Sequence, residues 1–380
     1  VCESRRISYV ELLREKSPPA AVDTFVSHWW GEPVLVFIEC IKQHANDHLL
    51  AESTRYWVCA YANRQHSLQQ EINADPTQTS FFKAMQLAEG VLLILDKAAT
   101  AYTRLWCAFE EYVALSWSWD PQRGRSRMLL DIATAVPDRA SADLLTDGLT
   151  AAGKKVQDMD LASRLRMYRQ ASFPLAVLSK GLKPKLHEAE ASMLDDKKHI
   201  LNTIAGKDNL EDNPETFHAE YDRVNSILGG ICARAGWEKA VAEGRIREFP
   251  FQDALRGDPQ VASLHFDLSS LNPRDSDLHD LSAGLPATLN VLKLNLTRCD
   301  QIGDGGVAAL GQNLPTSLQH MELEFYECRR IGDGGVAALG QKLPTSLQHL
   351  ELNFEGCRQI GDAVREARHD ATLFKVWVGF

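Results

Sequence analysis

Gly90-Val91-Leu92-Leu93-Ile94-Leu95-Asp96, followed by Trp106-Cys107-Ala108-Phe109-Glu110, decides the reading of the N-terminal half. The first stretch is a continuous apolar run, as expected of a strand buried on both faces. The second lies in a helical pattern that runs from Leu105 to Trp117. Upstream, residues 22–28 read as another short buried strand, and Gly31-Glu32-Pro33 opens a helix to about Ala51 with Pro near its first turn. Residues 56–61 are a second strand candidate, and 81–88 form a helical pattern leading into the apolar run. Strands that alternate with helices predict a parallel sheet covered on both faces. Beyond it, 128–133 read as a further strand, 173–178 as a short element and 187–205 as a helix.

Two motifs add chemistry to this pattern. Asp23-x-Phe25-Val26-Ser27 lies on the first strand, and Trp106-Cys107-x-x-Glu110 follows the strand at 90–96. In order and spacing this resembles the TIR domain, over residues 21–120 and beyond. The resemblance implies a TIR/flavodoxin-like α/β fold. Some TIR domains cleave NAD with the Glu of this motif, so it also implies NAD as substrate, Glu110 as catalytic residue, and self-association. The chain departs from the family in two places. Ala62-Asn63-Arg64-Gln65-His66 stands where an Arg-Asp-x-x-Pro-Gly loop is expected, and Arg104 stands where a Ser precedes the Trp.

Parallel sheets bind ligands at the carboxyl ends of their strands. His28, Trp29 and Trp30 fall there after the first strand, and Trp106 and Glu110 lie one helical turn apart on a shared face. Together they offer aromatic surface for a nicotinamide or adenine ring beside one carboxylate, which can stabilise an oxocarbenium-like transition state. The competing reading makes Trp106 and Cys107 packing residues and Glu110 an ordinary helix residue beside Glu111.

The C-terminal third repeats. LPATLNVLKLNLTRCDQIGDGGVAALGQ begins at Leu285, and near copies begin at Leu314 and Leu343, a period of 29 residues. Each copy gives a short alternating strand, then Cys, Ile-Gly-Asp and a helical Gly-Val-Ala-Ala-Leu segment. The pattern resembles leucine-rich repeats of the cysteine-containing, ribonuclease-inhibitor-like type. It implies a short α/β solenoid with a protein partner on its concave face, where His320, Glu322, Glu324, His349 and Glu351 would lie. A degenerate copy at Val261, Leu264, Phe266 and Leu268 and a last strand at Leu373, Val376, Val378 and Phe380 bring the count to five strands. Cys299, Cys328 and Cys357 share one repeat position and read as a buried ladder.

The expected organisation is an N-terminal lead-in (1–20), a TIR-like α/β domain (21–205), a helical connector (206–255) and leucine-rich repeats (256–380). In the connector, Phe217, Tyr221, Val224, Leu228, Ile231 and Ala235 make one apolar stripe, read as a packing face. The polar stretch 208–214 reads as a linker. A net charge of −10 argues against nucleic acid as partner. No apolar run is long enough to span a membrane. Eight scattered cysteines without a CxxC pair point to a reducing, cytoplasmic setting. Cys40, His44 and His48 recur every four residues on one helix, but no further ligand is identifiable, so no metal is expected. The function expected is NAD hydrolysis under control of the repeats; the alternative is a non-catalytic signalling adaptor.

Overall fold

A computed structural model describes residues 2–14, 21–67, 74–116, 128–135, 141–146, 150, 153, 155–156, 161, 165–166, 169–191, 193–361 and 374–377. By contacts the chain divides into Val1–Asn225 and Ser226–Phe380.

The first unit is built on a five-stranded sheet: β1 Thr24–His28, β2 Tyr56–Val58, β3 Gly90–Leu95, β4 Leu129–Ala135 and β5 Ala142–Thr146. The order is β2-β1-β3-β4-β5. β1 to β4 are parallel, and β5 runs antiparallel to β4 at the edge. Every residue of β3 is buried, as its apolar run requires.

Helix α1 (Val34–Asp47) covers one face, where Val26, Leu92, Ile94 and Ala133 pack with Cys40 and Phe37. It starts directly after Pro33 and ends as Leu49 adopts a left-handed φ of 51°. Alternation along the strands turns Phe25, Ser27 and Leu93 to the other face. Helix α2 (Ser80–Leu87) leads into β3, and α3 (Leu105–Ser116) follows it. α3 lies against β1, β3 and β4.

Local details differ from the expected elements. Strand β2 is only three residues long, and the chain turns at Cys59 into a single helical turn, Cys59–Ala62. The short element near 173–178 is a helical turn, Leu175–Leu178. The helix expected over 187–205 is α4, Leu194–Ile204, preceded by a turn at Leu186–Glu188 and by Glu190, which bridges to Arg104. The polar stretch at 208–214 is tied down, because Asn202 Nδ2 donates to the carbonyls of Leu210 (3.0 Å) and Asp212 (2.7 Å).

Helix α5 spans Ala219–Ala242. Tyr221, Val224, Leu228 and Ile231 are buried as the stripe requires, but Phe217 precedes the helix and is 74% exposed. Fully buried Trp237 extends the packing face instead. In the second unit, Gly230 on this helix has Asp258 so close that a Cβ would lie 2.2 Å from its Oδ2.

The repeats form a second sheet: β6 Ser263–Asp267, β7 Val291–Asn295, β8 His320–Glu324, β9 His349–Asn353 and β10 Phe374–Trp377. Each strand pairs in parallel with the next. Helices α6 (Asp275–Ala283), α7 (Asp304–Gln312) and α8 (Asp333–Gly340) stand between successive strands. The last strand runs where the sequence placed it, while Leu373, Val378 and Phe380 lie outside the described residues. Cys299, Cys328 and Cys357 are buried thiols, each donating from Sγ to a carbonyl of the preceding repeat, Leu268, Leu296 and Phe325 respectively.

The Gly-Asp-Gly-Gly segments are explained by a second ladder. Asp275, Asp304 and Asp333 each accept a 2.7 Å hydrogen bond from the backbone N–H of Gly303, Gly332 and Gly361, one repeat on. Helices α7 and α8 therefore start tight against Asp275 and Asp304. A Cβ on Gly306 would lie 2.6 Å from Asp275 Oδ1, and one on Gly335 would lie 2.7 Å from Asp304 Oδ1.

Candidate functional site

The strand order reverses between β1 and β3, the switch point at which open α/β sheets leave a crevice beyond the strand ends. A cavity of about 340 Å³ lies there. His28, Trp29, Trp30, Trp106 and Glu110 all line it. The rest of its wall is Val26, Cys59, Phe81, Arg104, Cys107, Glu190, Met193 and Asp196.

Each aromatic side chain is held differently. The ring of Trp29 lies over Gly31, where a Cβ would come within 2.3 Å of it; the following glycine makes room for the indole. Trp30 is 51% exposed, and its indole N–H donates to Cys59 Sγ at 2.8 Å. Trp106 stacks on Phe81 with ring centres 5.3 Å apart, and its Nε1 donates to Asp196 Oδ2 at 3.0 Å. Trp106 is thus a fixed wall of the cavity. His28 Nδ1 faces the Trp29 carbonyl at 3.1 Å, while its Nε2 is buried with no hydrogen-bond partner among the described residues. Burial lowers the His28 pKa, which favours the neutral ring with Nδ1 donating and Nε2 carrying a lone pair.

Glu110 is 5% exposed. Burial pushes its carboxyl up to about 8, and the Ser27 hydroxyl offsets part of that shift. Among the described residues no Lys or Arg pairs with it. Glu111 is buried as well, and burial, with Glu110 next to it, raises its carboxyl above the usual carboxylate range. A carboxyl so perturbed in a cleft is a functional candidate on physical grounds. The two cavity thiols are not. Burial pushes Cys59 up to about 12 and raises Cys107 as well, so neither is a thiolate nucleophile near neutral pH.

Sequence reasoning missed the far wall. Glu190, Met193 and Asp196 come from a segment some eighty residues beyond α3, brought in as Leu105 N donates to Glu190 O (2.9 Å) and Glu190 N to Thr103 O (2.8 Å). No local pattern marks that approach. Arg104 was noted only as a departure, yet it lines the cavity. Phe81 carried a signal, since it begins an apolar helix just before the strand.

Compared with known families, residues 289–311 match the one described as Leucine Rich repeat. No curated protein and no solved structure matches the chain. Repeats of this kind are a protein-interaction architecture. No helix among the described residues is long and apolar enough to cross a membrane.

Proposed function

We propose that the N-terminal unit is a TIR-like NAD hydrolase and that the leucine-rich repeats bind a protein partner that controls it. The observation that carries this reading is a buried carboxyl group, with no Lys or Arg paired to it among the described residues, in an aromatic cavity at the β1/β3 switch point. A cavity of about 340 Å³ is at the small end of ligand sites and suits the nicotinamide-ribose half of NAD.

In this mechanism the positively charged nicotinamide ring enters among Trp29, Trp30 and Trp106. Its charge favours the ionised form of Glu110. The bond from ribose C1′ to the ring nitrogen breaks, and its electron pair neutralises the nicotinamide. Glu110 stabilises the positive charge that develops on the ribose. Water adds to C1′ and loses a proton, for which His28 Nε2 is the acceptor at hand. The products are nicotinamide, ADP-ribose and one proton. The partner is read by the outward positions of the repeat strands, the concave face in this architecture.

The test is nicotinamide release from NAD by the purified chain at high protein concentration, beside Glu110→Gln. Release by the parent alone supports the reading, with a loss of at least ~100-fold expected for the variant. Equal release by both assigns the chemistry to another residue or a contaminant. No release by either, even when the chain is clustered, favours an adaptor that recruits partners without catalysis. The fixed packing of Trp106 against Phe81 and Asp196 is what that second reading would stress.

A further inference from the structure

At the other end of the first sheet lies a cluster that the NAD chemistry does not use. Helix α1 runs back from the carboxyl end of β1, so its last turns reach the opposite edge of the sheet. There His44 and His48, four residues apart, share a face. Opposite them Asp131 interrupts the apolar strand Leu129-Leu130-Asp131-Ile132. Asp131 is 3% exposed and His44 5%.

A buried carboxylate needs compensation, and the cluster supplies it incompletely. Asp131 Oδ2 faces His44 Nε2 at 3.1 Å and His48 Nε2 at 2.8 Å. Yet His48 Nε2 and Asp131 Oδ1 are both buried without a hydrogen-bond partner among the described residues. His48 thus approaches the carboxylate without the alignment that a hydrogen bond requires. The nitrogen atoms and the carboxylate oxygen all lie within 4.8 Å of one another. His44 Nδ1 is 2.8 Å from the Tyr56 hydroxyl. The Tyr56 hydroxyl on Nδ1 and the Asp131 carboxylate on Nε2 together hold the orientation of the His44 ring.

We propose that His44, His48 and Asp131 bind a zinc ion that ties the end of α1 to β4. Two imidazoles and one carboxylate suit zinc, whereas magnesium and calcium prefer all-oxygen sets. With metal–ligand bonds near 2.1 Å and tetrahedral angles, ligand atoms stand roughly 3.4 Å apart. The observed separations of 2.8 and 3.1 Å therefore open by about 0.6 and 0.3 Å when the ion enters. Water completes the coordination. Cys40, the residue the sequence spacing grouped with the two histidines, packs into the apolar core and is not part of the group. A second set, His320, Glu322 and His349 on the repeat strands, is a weaker candidate. Its side chains are 23–32% exposed, and Glu322 is already paired with Lys293 at 2.9 Å.

The experiment is zinc content after loading and gel filtration of the full chain, with Co²⁺ absorption as readout of coordination. One zinc per chain and tetrahedral cobalt bands are expected, both lost in His48→Ala and Asp131→Asn and kept in His349→Ala. Tyr56→Phe should weaken zinc at least ~10-fold through loss of the orienting hydroxyl. A folded parent that holds no stoichiometric zinc overturns the proposal. So does a strong sulfur-to-cobalt charge-transfer band, which would place the ion on thiols, or loss of zinc in His349→Ala. Where His48→Ala and Asp131→Asn fail to fold, an unchanged affinity in Tyr56→Phe overturns it.

Discussion

Glu110 is held where a carboxylate destabilises the folded chain, and that is measurable without any substrate. Burial raises its pKa to about 8, above the ordinary 4.5. Between those values the unfolded chain has released a proton that the folded chain retains. Stability therefore falls as pH rises from about 4.5 to 8, and the loss is complete above 8. Glu110→Gln removes this penalty. Its Tm should equal the parent's near pH 4 and exceed it increasingly up to pH 8–9, by differential scanning fluorimetry. A parent and variant that track each other across this range would show that Glu110 is not buried as a carboxyl. A residue whose loss stabilises the chain while abolishing turnover is the expected signature of an active-site group. Glu110 itself was legible in the sequence because Trp-Cys-x-x-Glu follows an apolar run. Its burial was not, since the cavity it lines is also walled by Phe81, Glu190, Met193 and Asp196, which no local pattern places beside it.

At the scale of elements, periodicity carried most of the information. The apolar run at 90–95 became a fully buried strand, and the 29-residue repeat became parallel strands with helices between them. What the sequence obscured was where elements stop. The apolar positions at 59–61 continue β2 on paper, but the backbone turns at Cys59. The Gly-Asp-Gly-Gly segments read as generic turns, whereas they form an inter-repeat clamp that only a three-dimensional approach reveals. Gly335→Ala would place a methyl 2.7 Å from Asp304 Oδ1 and 3.0 Å from its Cα, while that carboxylate is held by Gly332 N–H. The backbone must move, at a cost of about 1–3 kcal/mol. Gly340→Ala, with nothing within 4 Å of the added methyl, is the control and should be neutral or slightly stabilising. The unfolding midpoint of the repeat unit measures both, and equal midpoints would refute the clamp.

Across the whole chain, two units carry different kinds of evidence. The repeats were legible because their pattern recurs three times, and one copy matches a known family over residues 289–311. The first unit was legible through an apolar run and two short motifs, and its cavity gathers the five residues that those motifs and the switch-point rule selected. Asp131 escaped notice because one acid in an apolar strand has no meaning until the strand is placed beneath His44 and His48. The central claim is that ionised Glu110 drives cleavage of NAD, and the pH profile of kcat/KM for nicotinamide release tests it most directly, since this parameter reports groups of the free enzyme. Expected is a limb that rises with pH through an apparent pKa of about 8, absent from the residual activity of Glu110→Gln. A parent profile that is flat from pH 6 to 9, or that falls as Glu110 ionises, would contradict it.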